Sequence, residues 1–255
     1  MSTLNITVLQ QPLAWMDGAA NLRFFDALLA DIDGRDLIIL PEMFTTGFAM
    51  EAAKSSLPEA DVVSWLQAKA SAADAMVAGS AAIQTDKGAV NRFYLVEPDG
   101  TVQHYDKRHL FRMAGEHEHY LAGDRREVMH WRGWRILPQV CYDLRFPVFS
   151  RNQDDYDLAL YVANWPAPRA RHWQTLLEAR AIENQAYIAG CNRVGSDGNG
   201  HQYSGDSRII SPQGEILAAG EPHQPARLDA ELSLENLRAY RETFPAWRDA
   251  DRFSF

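Results

Sequence analysis

Sulfur is scarce in this chain. Its 255 residues include only two cysteines, Cys141 and Cys191, and no CxxC pair. That is too few for a disulfide framework or a cysteine-built zinc site, and it suits a reducing compartment with at least one free thiol. Long apolar runs are missing as well: none approaches the roughly 20 residues that span a bilayer, so no membrane association is expected. The opening stretch MSTLNITV has no basic segment ahead of an apolar one, so it does not read as a secretory signal, and a soluble, cytoplasmic protein is expected. Basic charge is in deficit, with 25 Lys and Arg against 34 Asp and Glu and a net charge of −9. No basic stripe offsets it, which argues against a nucleic-acid partner. The pairs Lys107-Arg108 and Arg125-Arg126 read as solvated surface or site residues. Net charge does not constrain a small anionic substrate, which one or two placed arginines can hold. A Walker loop and GxGxxG are absent, so no nucleotide cofactor is expected. HExxH is absent, and AGSAA (78–82) and SGDSRI (204–209) both fail GxSxG.

What is present is an apolar fraction of 46%, enough for one sizeable core and a single domain over 1–255. Segments of two periods alternate. Leu4, Ile6 and Val8 predict a strand, and Phe25, Leu28, Leu29 and Ile32 predict a helix stopped by Gly34. DLIIL (36–40) predicts a short strand ending at Pro41-Glu42. Val62, Val63, Leu66 and Ala70 predict a second helix, and MVAGSAAI (76–83) a buried strand. The turn Pro98-Asp99-Gly100 predicts a hairpin joining 93–96 to 101–105. Strands follow at 134–140, 157–164, 187–193, 207–211 and 215–219, with a helix over 171–186. Neither a low-complexity linker nor a fixed-period repeat interrupts them. Strands interleaved with amphipathic helices imply α/β layers around a mixed sheet. The aromatic tail (Phe244, Trp247, Phe253, Phe255) is expected to pack on the body or on a partner chain.

Three chemically capable residues stand at strand ends: Glu42 after DLIIL, Lys107 after VQHYD and Cys141 after RILPQV. In layered α/β folds, sites form beyond the carboxyl ends of strands. Amide hydrolysis by a thiol needs a nucleophile, a proton carrier and an oxyanion stabiliser, and cysteine, glutamate and lysine supply them. Pro147 predicts a helix starting just after the cysteine. A helix N-terminus and a nearby ammonium would both lower the thiol pKa below its free value of about 8.5. Each residue also has a plainer reading: a core thiol, a loop cap, a solvated lysine. The residues alone leave both open and stop at a thiol amidohydrolase as one candidate.

The blocks LIILPEMFTTGF, YDKRHLF and VCYDLRFP, in that order, resemble the three signature blocks of the nitrilase superfamily of carbon–nitrogen hydrolases. Gln10-Gln11-Pro12, VNRFYLVEPDG, NWP (164–166), EARAIENQAYIAGCNRVG and SGDSRIISPQGEIL match its lesser blocks, so the resemblance spans nearly the whole chain. It implies an α-β-β-α sandwich of two mixed sheets, extended through a homodimer. The tail and the helix over 171–186 are the candidate interface. It also implies Glu42 as general base, Lys107 as oxyanion stabiliser and Cys141 as nucleophile. A further family glutamate falls on Glu116, with Glu118 as the rival, and the Tyr142 backbone N–H completes the oxyanion hole. A glutamate that passes protons both ways near neutral pH implies a dry site that raises its pKa. No cofactor is implied.

PEMFTTGF with CYDLRFP is most similar to the omega-amidases, in the enterobacterial form. That resemblance implies a small ω-amide carrying a carboxylate, such as 2-oxoglutaramate or 2-oxosuccinamate, and an arginine to hold the carboxylate. Arg145 is one candidate, although an ion pair with Asp143 or a glutamate would occupy it in the turn. Two other readings stand beside this one. His109, His117 and His119 with Glu116 and Glu118 form a possible metal cluster. A non-catalytic interaction module would show a missing triad member, and none is missing. Cys191, inside a strand-like run, reads as structural.

Overall fold

The computed structural model describes residues 2–51 and 56–251. Its first sheet runs in the order β14-β1-β2-β3-β4-β5, from β1 (Thr3–Gln10), β2 (Leu37–Ile39), β3 (Met76–Thr85), β4 (Gly88–Val96), β5 (Val102–Asp106) and β14 (Ala226–Ser233). The second runs β13-β12-β9-β8-β7-β6, from β6 (Met129–Trp131), β7 (Trp134–Val140), β8 (Leu158–Ala163), β9 (Tyr187–Asn192), β12 (Arg208–Ile210) and β13 (Ile216–Ala219). Each sheet has parallel strands at its centre and antiparallel ones outside.

Alternation along the strands explains the layering. Leu4, Ile6 and Val8 of β1, Leu37 and Ile39 of β2, and Leu158, Leu160 and Val162 of β8 share one core between the sheets. The intervening residues face outward. Ile38 and Val77 meet α1 (Gly18–Ala30) and α2 (Glu59–Ala73) through Phe25, Leu29, Val62 and Leu66. On the far side Ala159, Tyr161 and Ile188 meet α5 (Ala170–Asn184) through Trp173, Leu177 and Ala181. The order is therefore helix, sheet, sheet, helix. Both faces of the central strands are covered, which is why DLIIL and DLALYVAN are nearly continuous apolar runs. Gly190 on β9 lets α5 approach, because a Cβ there would lie 2.5 Å from Leu177 Cδ1.

Several expectations shift at their ends. The first helix stops at Ala30, capped by Asp31, four residues short of Gly34. The helix over 171–186 is Ala170–Asn184, closed by Gln185 in the left-handed conformation. Strand β14, which pairs with β1 along its whole length, and α6 (Leu234–Thr243) had no sequence expectation. The alternating burial of β14 is diluted by charge: Arg227, Asp229 and Glu231 stand on its exposed side. In the tail, Phe244 is exposed and Trp247 half-buried, while Phe253 and Phe255 lie outside the described residues. Among the described residues no helix is long and apolar enough to cross a membrane.

Leu160, fully enclosed between the sheets, tests the layering. Leu160→Ala should lower unfolding free energy by about 2–5 kcal/mol in urea titration, the usual cost of such a truncation. A loss under about 1 kcal/mol would place it outside a packed core.

Candidate active site

The carboxyl ends of β2, β5, β7 and β8 each deliver one polar residue to a common point: Glu42, Lys107, Cys141 and Asn164. After β2 the chain passes through Leu40-Pro41 to Glu42. Met43 then adopts φ 46°, and its N–H donates to Ser80 Oγ at 2.9 Å. Lys107 follows β5 directly, and its N–H bonds to the Asn91 carbonyl at 2.9 Å. Cys141 follows β7 at φ 47° and starts a 3₁₀ turn, Cys141–Arg145, ahead of α4 (Pro147–Ser150). Pro147 does open a helix, as its ring favours. That helix is only four residues long, and the cysteine sits on the preceding turn instead.

Lys107 Nζ lies 3.1 Å from Glu42 Oε1 and 2.9 and 3.0 Å from the two oxygens of Glu116. All three side chains are fully buried. Glu116 begins the short helix α3 (Glu116–His119) and also accepts the Phe111 N–H at 2.5 Å. Its rival Glu118 points to solvent, so Glu116 is the glutamate at this cluster. Glu42 is held on every side: Asn91 Nδ2 donates to Oε1 at 2.8 Å and the Asn164 N–H to Oε2 at 2.7 Å. Asn164 Nδ2 also reaches the Glu42 carbonyl at 2.7 Å.

Burial opposes the Lys107 charge, but Glu116 and then Glu42 outweigh it and raise its pKa, so it stays an ammonium. Burial pushes the Glu116 carboxyl up; Lys107 pulls it back, and Glu42 pushes it up further. The Cys141 thiol moves opposite to expectation. Its pKa is raised well above the ordinary value, first by burial, then by the Glu42 charge, with Lys107 offsetting only part. Two carboxyl groups and the desolvation of the sulfur outweigh one ammonium, so the site favours the thiol over the thiolate.

Above the cluster opens a cavity of about 640 Å³, lined by Cys141, Tyr142, Asn164, Arg145, Arg169 and Tyr203 among others. Arg145 does not pair with Asp143. Its guanidinium stacks 4.7 Å over Trp165, Nη2 lies 3.1 Å from His172 Nδ1, and among the described residues no carboxylate neutralises it. Burial and the neighbouring Arg169 lower its pKa from the ordinary value. Arg169 stacks 5.4 Å over Phe111. The hairpin of β10 (Val194–Ser196) and β11 (Gln202–Ser204) closes one rim. Its Asp197 is occupied internally by Tyr203, His201 and Asn199.

The histidines do not assemble. His109 Nδ1 lies 2.8 Å from Asp143, Glu116 is committed to Lys107, and His117 approaches Glu118 at 3.9 Å. Among the described residues no group of three or more His, Cys, Asp or Glu could hold a metal ion. Cys191 is buried between the sheets, 3.3 Å from the Leu9 carbonyl. Asn91 and Arg169 were not singled out from sequence. A lone asparagine inside the apolar strand VNRFYLV was the available signal for the first. For Arg169 there was none.

The family model for carbon-nitrogen hydrolases matches residues 5–242. The chain is 70% identical over 253 residues to the omega-amidase YafV of Escherichia coli K12, covering 99% of both chains. It is 34% identical over 221 residues to the 2-oxoglutaramate amidase of Bacillus subtilis, covering 84% of each. Among solved structures, XC1258 of Xanthomonas campestris, a carbon–nitrogen hydrolase superfamily protein with an arsenic adduct in its active site, is 44% identical. It superposes over the full length of both chains with a TM-score of 0.97.

A raised thiol pKa has a measurable sign. The rate of Cys141 alkylation by iodoacetamide should climb with pH past the ordinary thiol value of about 8.5 without levelling off. A plateau reached near pH 7 would mean that Lys107 holds a resting thiolate.

Proposed function

This chain belongs to the carbon–nitrogen hydrolase family of the nitrilase superfamily, and from that premise we propose that it is an omega-amidase. It releases ammonia from the terminal amide of a small dicarboxylic 2-oxo acid, 2-oxoglutaramate or 2-oxosuccinamate. The observation that carries this reading is a cysteine thiol set over a buried Glu–Lys–Glu cluster at the floor of a cavity that Arg145 and Arg169 also line, neither with a carboxylate partner among the described residues.

Glu42 takes the Cys141 proton as the sulfur attacks the amide carbon, so a thiolate need never exist alone in the dry site. The developing oxyanion is held by Lys107 and by the Tyr142 N–H. Glu42 hands the proton to departing ammonia, leaving a thioester. It then draws a proton from water, which attacks the thioester and restores the thiol. Glu116 fixes Lys107 in place and preserves its charge. Removing an oxyanion donor in such sites typically costs about 10²–10³ in rate.

At the cavity rim Arg145 and Arg169 suit the distal carboxylate, because planar guanidiniums bind carboxylates through paired N–H donors. Each guanidinium lies over an aromatic face, which limits its movement. A neutral amide of the same length would leave this charge unanswered. The whole chain, 1–255, is read as one catalytic domain. Two free cysteines suit a cytoplasmic setting. The exposed apolar Ile182 on α5 and Phe244 after α6 support pairing with a second copy through that side.

Three measurements test this. Cys141→Ala and Glu42→Gln should each lower turnover of 2-oxoglutaramate at least about 10³-fold. Cys191→Ala should keep most of it. An active Cys141→Ala protein would sink the mechanism. Arg145→Leu should raise KM for 2-oxoglutaramate at least about tenfold and narrow its advantage over a neutral amide of similar size. If the wild type prefers the neutral amide, the substrate assignment fails. Sedimentation at micromolar concentration should show a dimer, and a 28.8 kDa species alone would refute pairing.

A further inference from the structure

Two residues after Cys141, Asp143 centres a second polar cluster that the chemistry above does not use. Asp143 is fully buried, yet among the described residues its carboxylate meets no lysine or arginine. It accepts three hydrogen bonds and contacts the His109 ring. Oδ2 takes the Val140 N–H at 2.9 Å and the Tyr105 hydroxyl at 2.9 Å. Oδ1 takes the His109 N–H at 2.9 Å and lies 2.8 Å from His109 Nδ1. The Tyr105 hydroxyl in turn accepts the Arg108 N–H at 3.0 Å.

The partners fall on two segments only. Val140 and Asp143 flank Cys141, while Tyr105, Arg108 and His109 flank Lys107. One carboxylate therefore joins the turn carrying the cysteine to the loop carrying the lysine. The His109 ring is itself clamped, stacked at 3.9 Å on Phe146 and edge-on to Phe149. The turn needs such a brace. Cys141 holds a left-handed φ of 47°, which a non-glycine residue adopts only when its surroundings impose it. Burying a carboxylate is also expensive, so a structure without use for this link would satisfy the turn with neutral groups.

We propose that Asp143 is a positioning residue: with His109 and Tyr105 it locks the Cys141 turn against the Lys107 loop, fixing the sulfur relative to the oxyanion-binding ammonium. This rests on the roles proposed above for Cys141 and Lys107. Asp143 touches no reacting atom and acts through where it holds them. Asn at this position keeps the shape but offers one acceptor oxygen where two are used, and it turns an NH₂ toward existing donors.

The test compares Asp143→Asn and Tyr105→Phe with the parent protein. kcat is corrected for folded fraction by circular dichroism, and the pH profile of Cys141 alkylation is measured in parallel. Asp143→Asn should lower kcat 10- to 100-fold with KM within threefold. Its alkylation profile should move down toward the ordinary thiol range as the turn loosens and the sulfur gains water. Tyr105→Phe, which deletes one hydroxyl and keeps the ring, should lower kcat 3- to 10-fold and move the profile the same way. It decides the matter if Asp143→Asn does not fold. A folded variant with kcat within twofold of the parent, or with an unchanged alkylation profile, overturns the proposal and leaves Asp143 as a brace for the fold alone. The alkylation profile needs no substrate, so a failure of the 2-oxoglutaramate assignment would not be mistaken for a failure here.

Discussion

The site is organised around one buried ammonium. Lys107 is fully enclosed, and taking a lone cation out of water costs several kcal/mol even after relaxation. Its two carboxylate neighbours, Glu42 and Glu116, make that tolerable by direct contact. The three groups are locked together, and removing Lys107 would leave two buried carboxyl groups with no cation between them. The arrangement also sets the state of the fourth member. With two carboxyl groups around one ammonium, the local field resists further negative charge, and the Cys141 thiol keeps its proton. On the proposed mechanism this is useful. Negative charge becomes acceptable only when it moves onto a substrate oxygen beside Lys107, while the thiol proton passes to Glu42. The cluster then favours the transition state over a resting thiolate.

Holding that cluster is the task of the sandwich. The groups come from four strand ends in two sheets, so their distances depend on how the sheets stack. That stacking is set by the apolar residues at alternate positions of β1, β2, β7 and β8. Loops supply the side chains, but rigid strands fix where each loop begins. The carboxylate of Asp143 on one side and Asn164 on the other tie those loops across the sheet boundary, while Asn91 ties Glu42 within the first sheet. On the proposed reading specificity is placed at the rim, where Arg145 and Arg169 stand over aromatic faces.

The strands with strong apolar content were legible in the sequence, because burial on both faces leaves an almost unbroken run. So was the position of Glu42, Lys107 and Cys141 at strand ends. What they do together was not, since spacing along a chain does not measure distance across two sheets; the likeness to the family blocks supplied that link. Strand β14 escaped notice because its outer face is charged. The choice between Glu116 and Glu118 is a matter of which way a four-residue helix turns. The expectation of a low thiol pKa failed for a physical reason. Pro147 and Lys107 were visible in sequence, but the packing around the half-buried Cys141 and the proximity of Glu42 were not, and these prevail.

The proposed mechanism requires a covalent bond between Cys141 and the acyl part of the substrate, formed beside Lys107. Intact-protein mass spectrometry of samples quenched in acid during turnover of 2-oxoglutaramate measures it directly. A mass increase equal to the 2-oxoglutaryl group, located by digestion on the peptide containing Cys141, is the predicted result. Sustained turnover with no adduct, or an adduct on Cys191 alone, would contradict it.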